Sequence, residues 1–178
     1  MNTISAHKYV SPRSRPVTPE EAEVRRIAYA LKLPTPEALA AAAALAPLVD
    51  AAEAPGTRIV LMPIPNSTGS VDANRALANE IADKLRLRYS RPAAVKLTVG
   101  RKHPVESSCA RRKRGLFGLR GDEHAMIRVA GPLTATGTAY YFVDNMATTG
   151  ATLDAARAAL GFGDGLVWAD EGKTPIAE

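Results

Sequence analysis

The chain has a single cysteine, Cys109, among its 178 residues. One thiol excludes an internal disulfide and a zinc site built from clustered cysteines. Long apolar runs are missing too. The longest near-apolar stretch, Ala38 to Val49, has 12 residues and contains Pro47, whereas a membrane-spanning helix needs about 20. The first 30 residues hold no apolar stretch of the signal-peptide kind. These absences predict a soluble, cytoplasmic protein that makes no use of a membrane. With 46% apolar and 23% charged residues, a wholly disordered chain is excluded. The length suits one domain, or one with an appendage, and allows a sizeable core.

Acid is scarce in one region. The whole chain has 23 basic and 18 acidic residues, a formal net charge of +5. From Lys84 to Arg120 there are 12 Lys or Arg and one acid, Glu106. Such a stretch is either a solvated basic face or an attractor for a polyanion, whether a phosphorylated metabolite, nucleic acid or an acidic surface. Four adjacent cations, Arg111, Arg112, Lys113 and Arg114, spread around a helix. They suit a phosphate backbone better than one small ligand, although no aromatic residues interleave with them as a stacking platform would require.

Residues 1–17 are polar, with Lys8, Arg13, Arg15, two prolines and no acid, and read as a flexible basic arm. Thr18-Pro19-Glu20-Glu21 gives a capping hydroxyl, a proline at the first helical position and Glu at the third, a capping box. Thr35-Pro36-Glu37 repeats the cap and the proline. A first helix to about Leu33, with Val24, Ile27, Ala28 and Leu31 on one face, and a second to about Ala54 make a helical pair over 18–56. Whether residues 1–54 serve as a hood, a dimer arm or a partner-binding element is open at this stage.

From residue 57 the pattern alternates. Arg58 to Met62 reads as a buried strand and Asp72 to Leu87 as a helix with Leu77, Ile81, Ala82 and Leu85 inward. Ala94 to Val99 reads as a strand, Ala125 to Val129 as a short one and Thr138 to Val143 as the strongest strand signal. Ala151 to Leu160 is a helix, and Leu166 to Trp168 a last strand. The fold class is therefore α/β, a mostly parallel sheet flanked by helices, over a core of residues 57–178 with an N-terminal helical extension.

One segment carries chemistry. After the strand come Asp144-Asn145-Met146-Ala147-Thr148-Thr149-Gly150-Ala151-Thr152, then an alanine-rich helix. Ligands of open α/β sheets collect at the carboxyl ends of strands. Free N–H groups and the dipole at the next helix start favour an anion. Gly150 permits close approach or positive φ, and Thr148, Thr149 and Thr152 each offer a hydroxyl to a phosphate oxygen. Asp144 lies far enough upstream to suit a sugar's hydroxyls. The segment reads as a ribose-phosphate cradle. It is not a P-loop, because Gly-Lys-Ser/Thr is missing. A capped strand-to-helix turn without a ligand is the alternative.

The stretch Phe142 to Leu153 resembles the 5-phosphoribosyl-1-pyrophosphate (PRPP) signature of type I phosphoribosyltransferases. That pattern is a strand, two acids, a few small residues, then Thr-Gly-x-Thr or Ser. The likeness extends over about residues 57–168 and is nearest to the competence-associated, amidophosphoribosyltransferase-like members. Met62-Pro63-Ile64-Pro65, Leu77-Ala78-Asn79-Glu80-Ile81-Ala82, Arg101-Lys102-His103 and Leu116-Phe117-Gly118-Leu119 match their landmarks. Three departures stand out. Asn145 replaces the second acid, no Arg-Gly-Phe-Asn segment follows Pro65, and no four-cysteine zinc module precedes the core.

The resemblance implies transfer of a phosphoribosyl group from magnesium-bound PRPP to a nucleobase or amine, with release of pyrophosphate. It implies that Ala147, Thr148, Thr149, Gly150, Ala151 and Thr152 hold the 5-phosphate. Asp144 and Asn145 would face the ribose, and Asn66, Ser67, Thr68 and Gly69 would form a pyrophosphate loop whose N–H groups turn inward as an anion nest. Arg101 and Lys102 would stabilise departing charge from a closing loop. Magnesium would be carried mainly by PRPP oxygens, with no protein metal cage. A homodimer is compatible with this reading. Duller alternatives stay open: Arg101 and Lys102 as surface charges, His103 as a loop residue, Cys109 as a bystander thiol, Trp168 as packing, and Asp170 with Glu171 as a surface pair. The rival functions are a nucleic-acid-binding, DNA-processing protein using Arg111 to Arg114, and a catalytically silent PRPP or nucleotide sensor marked by Asn145.

Overall fold

In the computed structural model, residues 2–11, 15–106, 111, 114–115, 125–131, 133 and 136–171 are described. The strands are β1 (Thr3–Lys8), β2 (Arg58–Pro63), β3 (Ala93–Val95), β4 (Val99–Arg101), β5 (Met126–Arg128), β6 (Thr138–Ala147) and β7 (Asp164–Asp170). The helices are α1 (Pro19–Ala30), α2 (Glu37–Ala52), α3 (Asp72–Tyr89) and α4 (Ala151–Leu160). Five strands form one sheet in the order β1-β7-β6-β2-β3, with each neighbouring pair parallel. β4 and β5 form a separate antiparallel ribbon. The fold is α/β, as the alternating pattern predicts. Among the described residues no helix is long and apolar enough to cross a membrane.

Both sheet faces are covered, which is why β2 and β6 are apolar without alternation. On one face Leu61, Tyr141 and Val143 pack with Ala28 of α1, its C-cap Leu31, Leu45 and Val49 of α2, and Leu77 and Ile81 of α3. On the other, Met62, Phe142 and Val167 pack with Leu153, Ala156 and Leu160 of α4, and with Val99 and Met126 of the ribbon. The boundary expected at residue 56 thus does not separate cores, because α1 and α2 supply much of one face. Period-3.6 spacing put the right residues of α1 and α3 inward.

Three expectations are corrected. Residues 3–8 are not a free arm: they form β1, in parallel register with β7 from Thr3↔Gly165 to Lys8↔Asp170. Tyr9 follows, buried, its N–H donating to the Asp170 carbonyl at 2.7 Å. Alternating small and polar residues hid this edge strand behind its prolines and charges. The single strand expected at 94–99 divides between β3 in the main sheet and β4 in the ribbon. Thr35 does not cap α2, whose N-cap is Pro36 without a side-chain bond. Its hydroxyl lies 3.5 Å from the Ala30 carbonyl instead. The Thr18 capping box at α1 is present as expected.

Part of the basic stretch is structural. Arg91 is only 9% exposed. Its guanidinium donates to the Asp50 carboxylate, to the Asp50 carbonyl at 2.9 Å and to the Glu53 carbonyl at 2.8 Å, and it also reaches the Ala54 carbonyl. It therefore closes the end of α2, whose last carbonyls have no intrahelical partner. Arg86 pairs with Asp83, and Arg114 with Glu106. Arg91→Ala orphans those carbonyls and leaves Asp50 unmatched. A loss of about 2–4 kcal/mol is expected in chemical denaturation; a loss under about 0.5 kcal/mol would refute the clamp.

Candidate functional site

Strand order reverses between β2 and β6. From β2 the chain moves to β3 on one side, while β6 leads to β7 on the other. The crevice outside the carboxyl ends at such a point is where open α/β sheets bind ligands. Pro63 pairs with Val143, so the loop after β2 and the Asp144 segment leave the sheet side by side.

Asp144 stands at this point. Its Oδ1 accepts from Asn74 Nδ2 at 3.1 Å and from the Asn145 N–H at 2.8 Å. Asn74 also donates to the Ile64 carbonyl at 2.8 Å. Burial pushes the Asp144 carboxyl up to about 6, against the pull of those two donors and of the charges on Arg101 and Lys32. The residue itself keeps some solvent exposure. An acid held at such a cost, at a sheet switch point, is a candidate functional position.

The predicted groups converge in part. Arg101, at the end of β4, is half-buried, and its Nε donates to the Asn66 carbonyl at 2.7 Å. Its Nη1 is buried with no partner among the described residues. Burial lowers its pKa, partly offset by the Asp144 charge. Lys102 and His103 are exposed beside it. Ala147 ends β6, its carbonyl taking the Glu171 N–H at 3.0 Å. Thr148 is half-buried and Thr149 exposed, the latter's Oγ1 3.4 Å from the Ala151 N–H. Gly150 has φ 75° and stands at the N-cap of α4, where it has no side chain to cap the turn. A β-carbon is disfavoured there, as the sequence suggested. Thr152 lies in that turn, partly exposed.

Two assignments are corrected. Asn145 does not face the crevice. Strand alternation sends it to the opposite side, where its Nδ2 donates to the Ala28 carbonyl of α1 at 2.8 Å. The Asn66 loop is not an open nest. Asn66 Oδ1 accepts from the Thr68 N–H at 2.9 Å, the Thr68 hydroxyl at 2.7 Å and the Ser70 N–H at 3.1 Å, and the Gly69 N–H goes to the Asn66 carbonyl at 3.1 Å. The Asn66 side chain sits where an incoming anion was expected, and Ser67 contributes its carbonyl to the Val105 N–H.

Trp168 is packing: its Nε1 donates to the Val24 carbonyl at 3.0 Å and its ring meets His7. Cys109, Arg112, Lys113 and residues 116–119 lie outside the described residues. Asn74 and Lys32 were missed by the sequence reading. Asn74 has a legible signal, a polar residue on the helical stripe of Leu77, Ala78 and Ile81 that is otherwise apolar. Lys32 has none, since only the fold brings the α1–α2 turn to β6. No protein-family description, curated protein or solved structure matches this chain.

Two outcomes test this geometry. The folded-state pKa of Asp144, about 6, exceeds its ordinary 3.8. Stability from holding that proton is complete below about pH 4 and lost as pH rises through 6, by at most about 3 kcal/mol. Asp144→Asn should therefore melt above the parent at pH 8 and level with it near pH 4. Equal melting curves at both would refute the burial. Asn145→Asp sets a carboxylate against the Ala28 carbonyl. It should destabilise by about 1–3 kcal/mol at pH 7 and less at pH 4, where a protonated acid can donate; an unchanged melting temperature at pH 7 would refute the strut.

Proposed function

We propose that the protein binds magnesium-PRPP in the crevice between β2 and β6 and acts as a phosphoribosyltransferase. One observation carries the reading: Arg101, far from the Asp144–Thr152 segment in sequence, acts on Asp144 at the sheet's switch point, with the start of α4 following the same strand. In this reading the first-turn N–H groups of α4 and the hydroxyls of Thr148, Thr149 and Thr152 take the 5-phosphate. Asp144, ionised above pH 6 and oriented by Asn74, accepts from ribose hydroxyls. The unpartnered Nη1 of Arg101 offers a donor to the pyrophosphate as negative charge develops on it. Magnesium bound by the pyrophosphate oxygens would neutralise part of that charge. The transfer breaks the bond from C1 to the pyrophosphate oxygen and joins C1 to a base or amine nitrogen.

A second reading has its own support. Asn145 is committed to α1, and the Asn66 loop uses its N–H groups internally, so two of the family's ligand groups are occupied. This favours a PRPP or nucleotide sensor that binds without transfer. Nucleic-acid binding has less support, because Arg114 is already paired with Glu106.

Titration calorimetry with magnesium-PRPP tests the site. Asp144→Ala should weaken binding at least about tenfold, the worth of one charge-assisted hydrogen bond or more. Gly150→Val should weaken PRPP and AMP alike, since both carry a 5-phosphate. Equal PRPP affinity in parent and Asp144→Ala would overturn the proposal. Tight binding with no pyrophosphate release across a panel of bases and amines would select the sensor. Salt-dependent binding of short single-stranded DNA, without PRPP binding, would select the nucleic-acid reading.

A further inference from the structure

A second cavity lies away from that crevice. It opens at the opposite, amino-terminal edge of the sheet, has a volume of about 530 Å³ and lies where β6 and β7 begin. That size is in the range of sites for small organic ligands.

Its chemistry is one-sided. Tyr140 and Phe162 meet edge to face, with centroids 4.9 Å apart. Tyr141 comes from the other sheet face and donates its hydroxyl to the Glu53 carboxylate. Asp164 is the second acid of the lining, and no cation lines the cavity among the described residues. Thr138 Oγ1 is buried on the same wall without a partner among the described residues.

The neighbouring charges leave a remainder. Arg157 Nη1 lies 3.9 Å from Asp164 Oδ1, which also accepts the Asn2 N–H at 2.9 Å. Arg91 reaches only the Glu53 backbone carbonyl, and its charge is matched by Asp50. The side chain of Glu53 has no cation against it among the described residues. Burial, then the Glu53 bond and the Glu53 and Asp164 charges, push the Tyr141 hydroxyl well above its ordinary value, so it stays a donor. One negative charge beside three aromatic rings is the complement of a single positive charge on a flat apolar body.

We propose that this cleft binds a small organic monocation, an ammonium or guanidinium carried on a flat or aromatic skeleton. The charge would sit against Glu53, the skeleton against Tyr140 and Phe162, and the cation's hydrogens would reach the orphan hydroxyl of Thr138. The site lies across the sheet from the crevice and does not depend on the phosphoribosyltransferase reading.

The test uses 2-phenylethylammonium and its neutral counterpart 2-phenylethanol, followed by NMR on the full chain with and without saturating magnesium-PRPP. The ammonium should bind in the millimolar range, as expected for so few heavy atoms. It should perturb Tyr140 and Phe162. The alcohol should bind about fivefold more weakly, the worth of one partly exposed ion pair. Glu53→Gln keeps an acceptor for Tyr141 and should bring the ammonium down to the level of the alcohol. Magnesium-PRPP should not compete. Equal affinity of the two probes for the parent, or no perturbation at Tyr140 and Phe162 up to about 10 mM, would overturn the proposal whatever the fate of the variant. Competition by magnesium-PRPP would overturn it too, by moving the ammonium to the other edge.

Discussion

The alternation of side chains along β6 governs the molecule. Parallel neighbours on both edges, β2 and β7, fix this strand in register over most of its length. Each residue is therefore assigned to one face with no freedom to slip, because a one-residue shift would exchange the two cores. Tyr141 and Val143 go to the three-helix face and Phe142 to the face of α4. The same period continues past the apolar run. It delivers Asp144 to the crevice and Asn145 to α1, so two adjacent polar residues serve unrelated ends.

That assignment explains the most conspicuous departure from the phosphoribosyltransferase pattern. An acid at position 145 would present an acceptor to another acceptor, the Ala28 carbonyl. An amide presents a donor. The asparagine is thus a consequence of α1 lying across the end of β6. Of the roles open to residues 1–54, this makes α1 and α2 a cover that completes the core and reaches the site's border through Lys32. Asp144 is left as the carboxylate at the end of β6 that faces the crevice, raised by burial and steadied by Asn74.

The fold was largely legible because its signals are local. Apolar runs bounded by proline and glycine marked β2, β6 and β7, and helical spacing marked α1, α3 and α4. β1 was missed because Thr3 to Lys8 carries no apolar run, and an edge strand needs only one paired side. The division of residues 94–99 was missed because a strand pattern does not say which sheet it joins. At the site, Asp144, the threonine turn and Gly150 were legible as a spacing. The direction of Asn145 was not, since it depends on where α1 packs, and neither was the closed Asn66 loop. A polar loop with a glycine can turn its N–H groups toward a ligand or toward its own side chain. Asn66, one residue after the strand's proline-rich end, takes the second course.

The crevice at the carboxyl edge and the cleft at the amino edge also differ in the charged side chains that reach them. At the carboxyl edge, strand ends are followed by loops that bring the charges of Arg101 and Lys32 to bear on Asp144, next to the start of α4. At the amino edge the groups that arrive are the ends of helices and the first residues of strands. The end of α2 carries Glu53, and its carbonyls already draw Arg91 away from the carboxylate. The negative charge left at the cleft is therefore tied to the way α2 is closed. Arg91 could neutralise Glu53 only by releasing the carbonyls it holds, and those carbonyls would then lose the donor that closes α2. The clamp that stabilises α2 is what keeps the cleft acidic.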